Sequence, residues 1–325
     1  MSPFKIDMKN YFVKAVIYIS LLFLPLFLPL SLYAEEGIWE IKKPSPNQRS
    51  EVAAASIEGK IYVIGGFGRF GVTDLLEEYD ASTDTWKEKA PLPTPLHHIG
   101  AAEAGGKIYV IGGFKRLWPW SPVDTVYEYD PAKNRWTQKA SMPTARGALA
   151  LGVINNKIYA LGGVGKDGDT GANEVYDPMT NTWVIKSPMP TARDHLAIGI
   201  VEEKMYAIGG RLGTYAKNLA MNEMYDPKTD TWKNLAPLPT PRSGIAASVL
   251  HERIYVFGGE SPEGTFKTVE GFDPKTDTWK TMPPMPTARH GLGSAVVGNK
   301  IYVIDGGKRP GGSVSNVNEV FTPSR

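Results

Sequence analysis

The sequence contains no cysteine. That excludes disulfides, a thiol nucleophile, a cysteine-ligated metal and a lipid anchor on cysteine. A large apolar core stands without disulfides even in an oxidising compartment, so export stays open. An excess of one charge is missing too. The chain has 36 Lys+Arg and 34 Asp+Glu. Residues 1–34 carry Lys5, Lys9 and Lys14 against Asp7 alone, so the remainder is formally neutral. No basic domain is left for nucleic acid, and none is expected as a partner. Phosphate-binding glycine loops, serine nucleophile elbows and zinc-binding helix motifs are also missing. Long helices are not expected, because 34 Gly and 26 Pro punctuate the chain.

One long apolar run is present. After the three lysines, Ala15 to Ala34 carries no charge and closes on Ser31-Leu32-Tyr33-Ala34 before Glu35-Glu36. A basic start, an apolar stretch and a small residue ahead of acids read as a signal peptide over residues 1–34. The alternative is an uncleaved membrane anchor, because a run of this length can span a bilayer. Pro25 and Pro29 oppose a spanning helix. Leu32 is bulky for a cleavage site. The expected location is secreted or periplasmic, or membrane-anchored outside the cytoplasm if the segment stays. Contact with a membrane is expected only in that case.

The rest repeats. Trp39, Trp86, Trp136, Trp183, Trp232 and Trp279 are spaced by 47, 50, 47, 49 and 47 residues. Glycine pairs begin at Gly65, Gly112, Gly162, Gly209, Gly258 and Gly306, each after a run such as Lys60-Ile61-Tyr62-Val63-Ile64. An aromatic follows each pair: Tyr79, Tyr129, Tyr176, Tyr225, Phe272 and Phe321. Then come turns such as Asp226-Pro227-Lys228-Thr229-Asp230, the tryptophan, and Pro-rich links such as Pro188-Met189-Pro190-Thr191. Each copy holds four short β-rich runs separated by Gly, Pro and Asp. One four-stranded sheet cannot bury both its faces, so the copies must stack around a ring.

Glycine pair, tyrosine and tryptophan at this period resemble the kelch repeat, over residues 37–325. The resemblance implies an all-β, six-bladed β-propeller, with four antiparallel strands per blade, in one domain over residues 35–325. Trp39 has no glycine pair before it, and the copy at Gly306 has no tryptophan after it. Gly37–Ile41 is therefore expected to supply the outer strand of the last blade and to cover its free edge.

Strand order puts the loops after the glycine pairs and the starts of the inner strands on one face. Those loops vary in length, so this face is the expected working face. Arg49, Arg146, Arg193, Arg242 and Arg289 share one repeat position there, and blade two has Leu96 instead. In kelch propellers that act as substrate receptors, arginines here line the channel mouth and hold acidic ligands. The opposing reading pairs them with Glu77, Glu174, Glu223, Glu270 and Glu319, two residues before the blade aromatics. Blade two lacks the acid as well as the arginine, carrying Tyr127, as an internal pair would require.

Blade two also has the longest loop, Phe114-Lys115-Arg116-Leu117-Trp118-Pro119-Trp120. Trp118 and Trp120 beside cations suit peptide or carbohydrate recognition, or else fold onto the neighbouring blade. Arg211 to Tyr215 is a smaller analogue. His97, His98, His195 and His290 lie on the same face and His251 on the other. Polar packing or ligand contact is expected of them. No metal is expected, because their spacing does not promise convergence.

Two kelch-like enzyme types bear on activity. Secreted copper galactose oxidases need a Tyr–Cys cross-link, which this chain cannot form. Periplasmic sialic acid mutarotases are similar in size, export signal and blade number; such chemistry needs an acid/base carboxylate near a sugar carboxylate held by arginine, and Glu260 and Arg211 are catalytic candidates by location alone. The expected function is an exported binding module for a protein, peptide or glycan, acidic if the arginines contact it. The alternative is a mutarotase-like sugar epimerase. No cofactor is expected, and a monomer is.

Overall fold

The computed structural model describes Met1 and residues 36–324; the proposed signal segment lies outside the described residues. The chain divides into two units, residues 1–32 and 33–325. Among the described residues no helix is long and apolar enough to cross a membrane.

The second unit is all β. In the first blade Ala53–Ile57, Lys60–Ile64, Leu76–Asp80 and Thr85–Glu88 pair antiparallel in chain order. Five further four-stranded sheets follow among the described residues. Their inner strands are Gly100–Ala104, Ala150–Ile154, Ala197–Val201, Ala246–Leu250 and Gly293–Val297. Each inner strand touches the next, and the last touches the first, so the ring closes. Second strands such as Lys107–Ile111 are buried along nearly their whole length between neighbouring blades. Their Ile, Val and Tyr side chains form the inter-blade cores.

The closing strand lies where its lone tryptophan predicts. Gly37–Ile41 pairs with Asn318–Pro323, setting Trp39 opposite Phe321 at 5.1 Å between ring centroids. Trp39 Nε1 donates to the Pro283 carbonyl at 2.9 Å, reaching the preceding blade. The other repeat tryptophans do the same, as Trp136 does to Ala90 and Trp232 to Ser187. The turn Asp or Asn, held at positive φ, accepts from the blade tyrosine and from a backbone N–H of the preceding blade. Asn181 does so for Tyr176 and Ala140, at 2.7 and 2.9 Å.

The glycine pair serves close approach. A Cβ on Gly65 would lie 2.5 Å from the Leu96 carbonyl oxygen of the next blade. That carbonyl accepts from Gly66 N–H at 2.8 Å, and glycine at position 65 leaves the space for it. The last blade has Asp305 in the first slot at φ 58, and Gly306 N–H still reaches the Arg49 carbonyl.

A candidate polar site at the channel mouth

The five repeat arginines are fully buried. Arg49 Nη2 meets Glu77 at 2.6 Å and Arg289 Nη2 meets Glu319 at 2.7 Å; Arg146, Arg193 and Arg242 bind Glu174, Glu223 and Glu270 the same way. Most of their other donors go to carbonyls, as Arg146 gives Nε to Gly162 and Nη2 to Ala160 at 2.9 and 2.8 Å, while Arg49 Nε faces the Asp305 carboxyl at 3.4 Å. The expectation that they line the mouth and face a ligand is therefore corrected. A guanidinium inside a blade stays charged only with an acid beside it, and the acid takes it away from the channel. In blade two, Leu96 and Tyr127 fill the same space as an apolar pair.

The mouth is built from another slot, two residues after each arginine position: Glu51, His98, Ala148, His195, Gly244 and Gly291. All six hold φ between 51 and 64. Each donates its backbone N–H to the carbonyl of its counterpart in the preceding blade. Glu51 gives to Gly291, His98 to Glu51, Ala148 to His98, His195 to Ala148, Gly244 to His195 and Gly291 to Gly244, at 2.7 to 3.2 Å. This closed hydrogen-bonded circuit narrows the mouth to a cavity of about 100 Å³. Below it the channel is lined by small and aliphatic side chains, among them Ala54, Ala101, Leu151, Ile198 and Val249.

The side chains on this circuit converge. Glu51 Oε2 lies 3.4 Å from His98 Nε2, and its Oε1 lies 3.4 Å from His290 Nε2. Glu51, His98 and His195 each bring one possible ligand atom within 4.8 Å of the others. The spacing did not promise this convergence. Whole-blade spacing delivers it because equal slots meet wherever the ring is narrow. His97 Nε2 faces the Arg116 carbonyl at 2.9 Å and so carries the hydrogen there. Its Nδ1 then accepts from His98 Nδ1, which leaves His98 Nε2 as a bare lone pair. Burial holds His98 and His195 far below the usual histidine range and His97 down to about 4, so the rings are neutral. Burial pushes Glu51 up.

Arg211 and Glu260 are in contact at 2.8 Å, both buried. Arg211 Nε also donates to Asp194 at 3.0 Å and its Nη2 to His195 Nε2 at 2.9 Å, while His195 Nδ1 donates to Asp194. Glu260 accepts from Gly311 N–H at 2.9 Å. Asp169, first through burial and then through the neighbouring Asp194, is pushed up to about 7. Glu51, Asp194 and Asp169 were not singled out as site residues in the sequence. For two of them the signal was available: Glu51 shares the slot of His98, and Asp194 that of His97.

The two loop tryptophans part company. Trp120 lies over His98 at 4.8 Å and His195 at 6.3 Å between centroids, roofing the cluster. Trp118 is 84% exposed, beside exposed Leu117. Tyr215 is half-buried under Arg211, 5.9 Å from guanidinium to ring centroid. A feature the sequence reading passed over is Phe70, 96% exposed on the loop of blade one.

A model of the KLHDC2/KLHL20/DRC7 Kelch-repeats domain matches residues 34–163, 90–238 and 151–322, which together span the ring. The chain belongs to the kelch-repeat family. Among solved structures, this kelch propeller is similar to one titled "Structure of YjhT", with a TM-score of 0.74 at 17% identity over 86% of this chain and 96% of that one. That likeness concerns the fold. No curated protein sequence matches the chain.

Proposed function

We propose that this kelch propeller is an exported binding module that takes an acidic protein or peptide segment on the loop face of blades six, one and two. The observation that carries the reading is a group of exposed cations with no ion-pair partner among the described residues: Arg69, Lys115, Arg116, Lys308 and Arg309. They stand on the loops of adjacent blades and surround exposed Phe70, Leu117 and Trp118. Two joined grooves run between them. One of about 620 Å³ is lined by Arg69, Lys308 and Arg309, and one of about 390 Å³ by Arg69, Phe70 and Thr73. Cations around aromatic anchors suit acidic partners, and outside residues 1–34 the chain is neutral, so this charge is local.

The test is binding of the purified protein, without residues 1–34, to an array of acidic and neutral peptides at two salt concentrations. Salt-sensitive binding to acidic peptides, lost in Arg69→Glu/Arg309→Glu and in Trp118→Ala, is expected. Equal binding to neutral peptides, or variants that bind like wild type, refutes it. Export is checked by cell fractionation: the chain should accumulate outside the cytoplasm and lose residues 1–34.

A second reading, a mutarotase-like enzyme for acidic sugars, rests on the buried Arg211–Glu260 pair and on Asp169, a carboxyl that titrates near neutrality. Sialic acid anomerisation followed by NMR, and its loss in Glu260→Gln, separates the two.

A further inference from the structure

We infer that Glu51, His98 and His195 form a binding site for one divalent transition-metal ion, of the zinc or cobalt class, at the channel mouth. Two neutral imidazoles and a carboxylate make the N,N,O donor set that such ions take, with a further position left for water. His98 Nε2 and Glu51 Oε2 are 3.4 Å apart. Two ligands of one tetrahedral ion stand about 3.3 Å apart at the usual bond lengths. His98 Nε2, with no hydrogen of its own, and the Glu51 carboxyl oxygen are two lone-pair atoms that one cation can share.

The groups behind the ligands fit too. His195 Nδ1 donates to Asp194, the carboxylate–histidine arrangement that orients an imidazole toward a metal. His98 is oriented by His97, itself held by the Arg116 carbonyl. Asp194 and Glu260 share a single guanidinium, Arg211, while Glu51 faces the imidazoles of His98 and His290, so the cluster has room for positive charge. On binding, the Arg211 Nη2 contact to His195 Nε2 gives way, while Arg211 Nε and Nη1 keep Asp194 and Glu260.

The backbone of the circuit sets where these side chains begin. Glu51, His98 and His195 hold φ of 51, 52 and 52, where a side chain other than Gly or Asn costs about 1 kcal/mol or more. Blades five and six use Gly244 and Gly291 in this slot. Ala148 holds the same slot at φ 54, so the slot admits a side chain, and in blades one, two and four that side chain carries a donor atom into the mouth. Gly291 makes room: a Cβ on it would collide with the Glu51 carboxylate.

The test titrates Co²⁺ into the chelator-treated protein without residues 1–34 and without an affinity tag, reading the visible absorption of the bound ion. One equivalent giving intense tetrahedral-type bands, bleached by Zn²⁺, is expected. Glu51→Gln and His98→Gln should each weaken binding about tenfold or more, since each removes a ligand or its charge. Glu51→Gln keeps the volume of the site, and a melting curve confirms that it is folded. His251→Gln, on the opposite face and exposed, should bind like wild type. No bands at millimolar Co²⁺, unchanged affinity in a folded Glu51→Gln protein, or equal loss in His251→Gln overturns the assignment.

Discussion

Blade two suggests a swap for blade three. Arg146 and Glu174 form a buried pair there, with Thr144 Oγ1 donating to Glu174 Oε1 at 2.7 Å. In blade two Leu96 and Tyr127 stand in their places, and Thr94 Oγ1 lies 3.3 Å from the Tyr127 hydroxyl. The apolar version thus keeps the threonine contact. Arg146→Leu alone leaves Glu174 charged and buried with its partner gone, and Glu174→Tyr alone strands Arg146. Breaking one side of such a pair costs about 3–5 kcal/mol. In a domain this large, each kcal/mol moves the melting temperature by about 2–4 °C, so either single change should lower it by roughly 6–20 °C. The double change removes both charges and restores the blade-two packing. Its cost should fall to about 1–2 kcal/mol, mostly for the Gly162 and Ala160 carbonyls that lose Arg146 donors. Melting followed by tryptophan fluorescence at one fixed scan rate gives all four corners of the cycle. A double variant destabilised by the sum of the singles would show that the arginine and glutamate act independently, and would refute the pairing argument.

Two further outcomes follow from the fold. Deleting residues 37–44 removes the strand paired with Asn318–Pro323 and the Trp39 contact to Phe321, so the protein should melt lower and self-associate on gel filtration; an unchanged melting temperature and a monomeric profile would sink this. Burial pushes the Asp305 carboxyl up to about 7, above its unfolded value near 3.8. The folded state then binds the extra proton between those values, so stability should fall as pH rises from about 4 to 7; Asp305→Asn should flatten the slope of melting temperature against pH, and a parallel slope refutes the assignment.

The ring was legible because each blade repeats its own instructions. Tryptophan marks the outer strand, the glycine pair marks a contact too close for a Cβ, and the missing halves at Trp39 and Gly306 point to closure. The joint exception at Leu96 and Tyr127 even exposed the Arg–Glu pairs. The site was harder to read, since its residues follow no motif. Glu51, His98 and His195 are separated by whole blades, and they meet only because the inner strands crowd together at one end. Asp194, Arg211, Glu260 and His290 fill two neighbouring slots, where other blades have serine, glycine, valine or phenylalanine and blade two has His97. Repeat order placed Arg211, Glu260 and His290 on the working face but gave no reason to join them to Asp194 and Glu51. Phe70 escaped for the same reason: its loop is ordinary in length, and only its exposure marks it.

The circuit of six backbone bonds around the mouth runs in one rotational sense, every donor pointing to the preceding blade. Such a loop has no spare end. Its last bond, from Glu51 to Gly291, joins the first blade to the sixth, near the pairing of Gly37–Ile41 with Asn318–Pro323. The earliest strand of the ring to emerge in synthesis or translocation therefore waits for the latest. Until then no carboxylate of Glu51 sits over Gly291, and the ligand trio is incomplete. The channel-mouth site comes into being only with the finished ring, so its occupancy would report on completed assembly.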